Sequence, residues 1–174
     1  MILVIIYILT IFFGKDYFSI SELGIFFSIL GVTWLLFSLK NLSWKKSFQP
    51  IVLIIIGLIS IQQNSLIVLK SFPLTLSALF FIAFIYAEIT KEYFLIKYIG
   101  KFKKLDEAER IYLEKTHLIW IVVTAINVSL HSYFLFFGSI EEWIFYSTVG
   151  WYILLGCGIL FQILFRRLYE KGSN

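Results

Sequence analysis

From His117 to Phe137 the chain reads HLIWIVVTAINVSLHSYFLFF, without one Asp, Glu, Lys or Arg. About 20 such residues are what an α-helix needs to cross a hydrocarbon layer roughly 30 Å thick. Comparable blocks cover Ile20–Leu39, Ile51–Leu69, Pro73–Thr90 and Ile140–Phe165, and a shorter one covers Ile2–Phe13. None has the two-residue alternation of a barrel strand, and in lipid only helices and closed barrels satisfy every backbone polar group. The expected class is therefore all-α, a polytopic transmembrane helix bundle of about six spans, with residues 1–174 as a single membrane domain. Composition points the same way: 60% of the residues are hydrophobic and only 15% charged, where a soluble domain has roughly 45–50% and 25%.

The first block is the weakest span. Ile2–Phe13 is short, and three readings stay open: tilted, half-inserted, or extended toward Phe18. It has no basic start and no small-residue cleavage motif, so it reads as a retained helix rather than a signal peptide.

Lys and Arg placement gives an expected orientation. With six spans, one side holds Lys40, Lys45, Lys46, Lys91, Lys97, Lys101, Lys103, Lys104, Arg110, Lys115, Arg166, Arg167 and Lys171, and the other only Lys15 and Lys70. Both termini are then cytoplasmic; if the first block does not cross, only the N-terminus moves. The loops QQNS and GSIEEW on the sparse side are neutral or acidic, which fits. The net charge of +4 needs no nucleic-acid partner, because anionic lipid heads attract such residues. The expected partners are membrane lipids and other inner-membrane proteins.

The connection 91–116 is long and basic. Within it Phe102, Leu105, Ala108 and Tyr112 fall on one helical face, as in a helix lying at the membrane surface; a solvated charged loop is the competing reading.

Candidate functional residues are few. In the fifth block His117, Trp120, Thr124, Asn127 and His131 recur at steps of three and four and share one helix face. Polar groups inside a span turn toward other helices or a wet cavity. Trp120, Thr124, Asn127 and His131 are therefore read as a helix seam or a small polar pocket. In the second block Ser21, Gly24, Ser28 and Gly31 make a stripe where a neighbouring backbone can approach closely. Gly156 and Gly158 thin the last block in the same way around Cys157, the one cysteine, which has no basic neighbour in sequence to activate it.

No enzyme is expected. His117 and His131 stand about 21 Å apart along one helix, at 1.5 Å per residue, too far to share a metal. No cofactor motif is present: there is no phosphate-cradling glycine loop, no serine elbow and no metalloprotease signature. Glu88 and Glu92 form an i, i+4 carboxylate pair at a helix end, with Lys91 beside them.

Several pieces resemble a bacterial inner-membrane family encoded beside aryl-polyene pigment and related fatty-acid-like synthesis genes. They are SFPLTLSALFFIAFIYAEI, FLIKYIGK, the Trp120–Asn127 spacing and WIFYSTVGWYILLGCGILFQILFRR. The aromatic-Pro pair opening the fourth block is matched by Phe72 and Pro73, and the Trp-to-Asn step by Trp120 and Asn127. The last block matches through Trp143, Tyr146, Tyr152, Gly156 and the basic pair Arg166 and Arg167. The likeness covers roughly Trp34 to Arg167, and the general layout is also similar to the intracellular septation protein A family. Gln162 stands where that pattern tends to have Glu, and Ser147-Thr148 where it has Asn-Gly. The resemblance implies a setting in the cell envelope, linked to lipid or pigment synthesis or to septation, and no reaction.

Two rivals belong to other classes. A small transporter or substrate-binding membrane subunit has similar size, but tends to carry Ala-x-x-x-Ala in its first helix, and Met1–Phe13 contains no alanine. A membrane-embedded lipid-modifying enzyme would need clustered acids or histidines, for which only Glu88 and Glu92 are available.

Overall fold

The structure is a computed structural model that describes residues 2–39 and 44–172. It is all-helical, about 85% helix, with no strand among the described residues. The helices are α1 (Ile2–Gly14), α2 (Ile20–Leu39), α3 (Trp44–Gln63), α4 (Leu66–Lys70), α5 (Phe72–Thr90), α6 (Phe94–Ile99), α7 (Glu107–Lys115), α8 (His117–Phe136), α9 (Ile140–Phe145) and α10 (Trp151–Gly172), with a π-helical turn at Tyr146–Gly150 before α10.

Four stretches are long and apolar enough to cross a membrane: Ile20–Phe37, Phe72–Thr90, Glu107–Phe136 and Ile140–Arg166. Their apolar side chains are turned outward as lipid requires, with Ile29, Ile82, Val122 and Leu160 all more than half exposed. Two blocks differ from the sequence expectation. The helix α1 ends at Gly14 and the chain turns at once, so the extension toward Phe18 is not made. The block Ile51–Leu69 is not one helix: α3 begins earlier, at Trp44, and stops at Gln63, because Asn64 takes a left-handed conformation with φ 45°. Asparagine tolerates that region better than most residues, and a separate α4 follows. The apolar part of α3, Phe48–Gln63, is shorter than a full span.

Local chemistry fixes the helix starts. Ser19, Asp106 and Ser139 each open a helix and accept from the backbone N–H three residues on, at Glu22, Glu109 and Glu142. Each glutamate reaches back to the N–H of its capping residue, the reciprocal capping box. At the other end of α5, Lys91 has φ 55° and the Glu92 N–H donates to the Ala87 carbonyl, closing the helix without a glycine. The expected face of Phe102, Leu105, Ala108 and Tyr112 is not formed as one helix, since Asp106 caps α7 and leaves Phe102 and Leu105 before its start. The helix α7 buries Leu113 instead.

The chain divides into two compact units. The first comprises residues 1–76 and 131–148. Its core holds Tyr7, Ile8, Ile11, Phe27, Leu69, Phe72 and Trp143, each at most 2% exposed. Tyr7 lies between the rings of Phe27 and Phe72, at 4.3 and 4.8 Å, and its hydroxyl donates to the Leu69 carbonyl. The helices α2 and α3 pack closely. A Cβ on Gly24 would sit 2.9 Å from the Gly57 carbonyl oxygen, one on Gly31 3.0 Å from that of Pro50, and one on Gly57 2.7 Å from that of Gly24. Ser28 lies on the same contact, and Ser21 is half-buried where the stripe begins.

The second unit comprises residues 77–130 and 149–174. There α8 is joined to α5 and α10 by the polar contacts described next.

Candidate functional site

Along α8, His117, Thr124, Asn127 and His131 are buried, whereas Trp120 is half-buried and Ser129 exposed. Trp120 donates its indole N–H to the Gln162 Oε1 of α10 at 3.1 Å. The same amide donates from Nε2 to the Thr116 hydroxyl at 2.9 Å, and that hydroxyl donates to the Tyr112 carbonyl at 2.9 Å. The Tyr112 hydroxyl closes the loop by donating to the backbone carbonyl of Gln162. An indole N–H can only donate, so the amide orientation follows from its neighbours. These bonds lace the end of α7 and the start of α8 to α10.

Further along α8, Asn127 donates from Nδ2 to Ser77 Oγ on α5 at 2.9 Å. Thr124 turns back to its own helix, donating to the carbonyls of Trp120 and Ile121 at 2.7 and 3.0 Å. His117, 1% exposed, has its Nε2 2.9 Å from the Phe84 carbonyl. A carbonyl only accepts, so Nε2 carries the proton. The ring also lies against Tyr93, at 4.8 Å.

His131 belongs to the first unit. It is 3% exposed and meets the Tyr146 ring edge-on, 4.8 Å between centroids. Its Nδ1 and the Oγ of Ser147, in the π-turn, are buried without a hydrogen-bond partner among the described residues. The residues expected to form one stripe are thus each engaged locally: Trp120 with α10, Asn127 with α5, Thr124 with its own backbone, His131 with Tyr146.

The small residues of α10 differ from one another. A Cβ on Gly158 would meet Val123 at 3.0 Å, whereas one on Gly156 would meet nothing within 4 Å. Cys157 is exposed. The carboxylate pair at the end of α5 is divided between lysines: Glu88 binds Lys91 and Glu92 binds Lys97, the latter at 2.7 Å. The hydrogen bond to Glu88 raises Lys91 above its ordinary value. No three His, Cys, Asp or Glu side chains converge as metal ligands would among the described residues.

Three participants were not singled out in the sequence. Ser77 reads as one more small residue in an apolar block, and Thr116 as a loop residue. Lys70 reads as a surface cation, yet it is 8% exposed, with its ammonium 5.4 Å from the Trp143 ring centre. Burial holds its pKa below the ordinary lysine value, and the charge of Glu141 opposes that shift.

No family model matches the chain, and neither the curated proteins nor the solved structures contain a significant match.

Proposed function

We propose that this chain is a non-enzymatic integral protein of a bacterial inner membrane, an accessory factor of the cell envelope linked to lipid or aryl-polyene pigment synthesis or to septation. It crosses the membrane six times with both termini cytoplasmic. The helix α3 is about 30 Å long at 1.5 Å per residue, about the thickness of the hydrocarbon layer. The helix α1, about 20 Å long, crosses where the bilayer thins or its flanks are drawn inward. The uneven division of Lys and Arg supports this threading.

One observation carries the accessory role. Two of the polar side chains of α8 are committed to bonds that hold helices, Trp120 to Gln162 and Asn127 to Ser77. The working surface then lies outside this seam, toward lipid or a membrane partner.

The test is Asn127→Ala and His131→Ala in cells, with membrane protein level and envelope phenotype measured together. Reduced protein level with proportionate loss of phenotype is expected for Asn127→Ala. Normal level with lost phenotype would turn the seam into a working site. The resemblance has its own cheap test: a neighbouring fatty-acid-like or pigment gene cluster supports it, and a neighbouring transporter ATPase gene contradicts it.

A further inference from the structure

Buried hydroxyls in this chain are hydrogen-bonded, with one exception. Among the described residues the buried serines and threonines are Ser60, Ser77, Thr116, Thr124 and Ser147. Ser60 donates to the Gly57 carbonyl, Thr116 to that of Tyr112 and Thr124 to that of Trp120, while Ser77 accepts from Asn127. Ser147, 3% exposed, has no hydrogen-bond partner among the described residues. The turn that carries it does not forbid the usual bond, since its neighbour Thr148 reaches the Ile144 carbonyl at 2.7 Å.

The first unit holds a second such atom, the Nδ1 of His131. Tyr146 links the two residues. Its ring meets the His131 imidazole edge-on at 4.8 Å and stacks on Phe134, the next turn of α8, at 5.1 Å; Ser147 follows it directly in the chain. This contact seats the start of the π-helical turn Tyr146–Gly150 on the stretch of α8 that carries His131. Single π-turns within helices are found frequently at functional sites.

Two polar atoms shut away without bonds cost the fold free energy, and a bound group that pairs with both removes that cost. A hydroxylic group suits them. It donates to the ring nitrogen or accepts from it, whichever tautomer the imidazole holds, and does the same with the serine. A carboxylate only accepts and an ammonium only donates, and either charge is expensive beside the rings of Phe134 and Tyr146. Both atoms are closed to the surface, so the occupant is small.

We propose that His131 Nδ1 and Ser147 Oγ share one bound water molecule, held between α8 and the π-turn within the first unit. Buried waters pair with otherwise unsatisfied polar groups, commonly through about three bonds, and a carbonyl of the turn, able to accept twice, takes the remaining one. The site lies apart from the bonds of Trp120 and Asn127 and goes beyond the accessory role, giving two side chains outside that seam a common task. Immobilising a water costs entropy, so the fold tolerates the pair rather than depends on it.

Magnetic resonance of the full chain in lipid nanodiscs, with isotope-labelled histidine rings, tests it. Only His117 and His131 contribute signals, and His131→Phe assigns them. In the wild type, magnetisation is expected to pass from water protons to the His131 Nδ1. Ser147→Ala should shift the Nδ1 resonance and weaken or abolish that transfer. Ser129→Ala, at an exposed hydroxyl bonded to its own helix, should change neither.

Absence of transfer in the wild type, or a transfer and an Nδ1 resonance both unchanged by Ser147→Ala, would overturn the proposal. So would transfer from lipid protons in place of water, which would put a lipid group at the site. The His117 signals report on folding; if Ser147→Ala disturbs them, Ser147→Cys takes its place, with a thiol of similar size that hydrogen-bonds poorly. A missing water sinks only this inference and leaves the membrane reading as it stands.

Discussion

A buried hydrogen bond between helices in lipid is modest in energy, because the separated helices find other partners. Asn127→Ala, which leaves Ser77 Oγ without its donor, is expected to destabilise the protein by about 0.5–2 kcal/mol. A double-mutant cycle with Ser77→Ala, read by thermal unfolding in detergent, isolates that pair; zero coupling would remove Asn127 from the seam. His131 behaves oppositely. Its Nδ1 is buried without a hydrogen-bond partner among the described residues, a costly arrangement, so His131→Phe, which keeps a ring against Tyr146, is expected to preserve or raise the unfolding temperature. A marked drop would mean that the imidazole makes a bond the fold needs. Lys70 gives a pH dependence. Burial lowers its pKa from 10.5, so the unfolded chain holds this proton more tightly than the folded one. Below the folded value the ammonium is charged in both states and its desolvation weighs fully on the fold. As pH climbs through that value toward 10.5 the penalty fades. The melting temperature of the wild type minus that of Lys70→Met should therefore rise across the alkaline range, and a flat difference contradicts the burial argument.

At the scale of elements, small residues set how closely helices approach. Gly57→Leu would drive a side chain into the Gly24 backbone, where even a Cβ falls 2.7 Å from the carbonyl oxygen. A backbone cannot step aside as a side chain can, so a loss of about 3 kcal/mol or more is expected, seen as a sharp fall in membrane protein level. Gly156→Leu, where an added Cβ meets nothing within 4 Å, should stay within about 0.5 kcal/mol of wild type. If both variants behave alike, the α2–α3 contact is not what holds the pair. The apolar blocks were legible because lipid imposes one rule on every span, and the stripe Gly24, Ser28, Gly31 was legible because spacing alone puts it on one face. Its opposite wall was not, since Gly57 is a lone glycine in an apolar run and only the packed pair reveals it. The break at Asn64 was hidden for a similar reason: one left-handed residue stops a helix that hydropathy alone would continue to Leu69. The capping boxes at Ser19–Glu22, Asp106–Glu109 and Ser139–Glu142 were not singled out in the sequence, although each follows a short local pattern. They account for three glutamates as helix starts. In the seam, Trp120 and Asn127 stood out by spacing, whereas their acceptors Gln162 and Ser77 lie 42 and 50 residues away and no local pattern joins them.

For the whole molecule, the proposed role depends on how the chain threads the bilayer. In the proposed threading most cations fall on the cytoplasmic side, and the sparse side keeps Lys15, paired with Asp16 at 2.8 Å, and Lys70, whose ammonium lies 5.4 Å from the Trp143 ring centre. The charge that could pull that side inward is thus largely neutralised or buried, which sharpens the asymmetry read from the sequence. Reporter fusions at the two termini, using a phosphatase active only outside the cytoplasm and a fluorescent protein active only inside it, test this most directly. Fluorescence at both termini is the expected result, and fluorescence at the C-terminus alone would mean that α1 does not cross. Phosphatase activity at the C-terminus would contradict the orientation, and with it the placing of the basic connection at the cytoplasmic face.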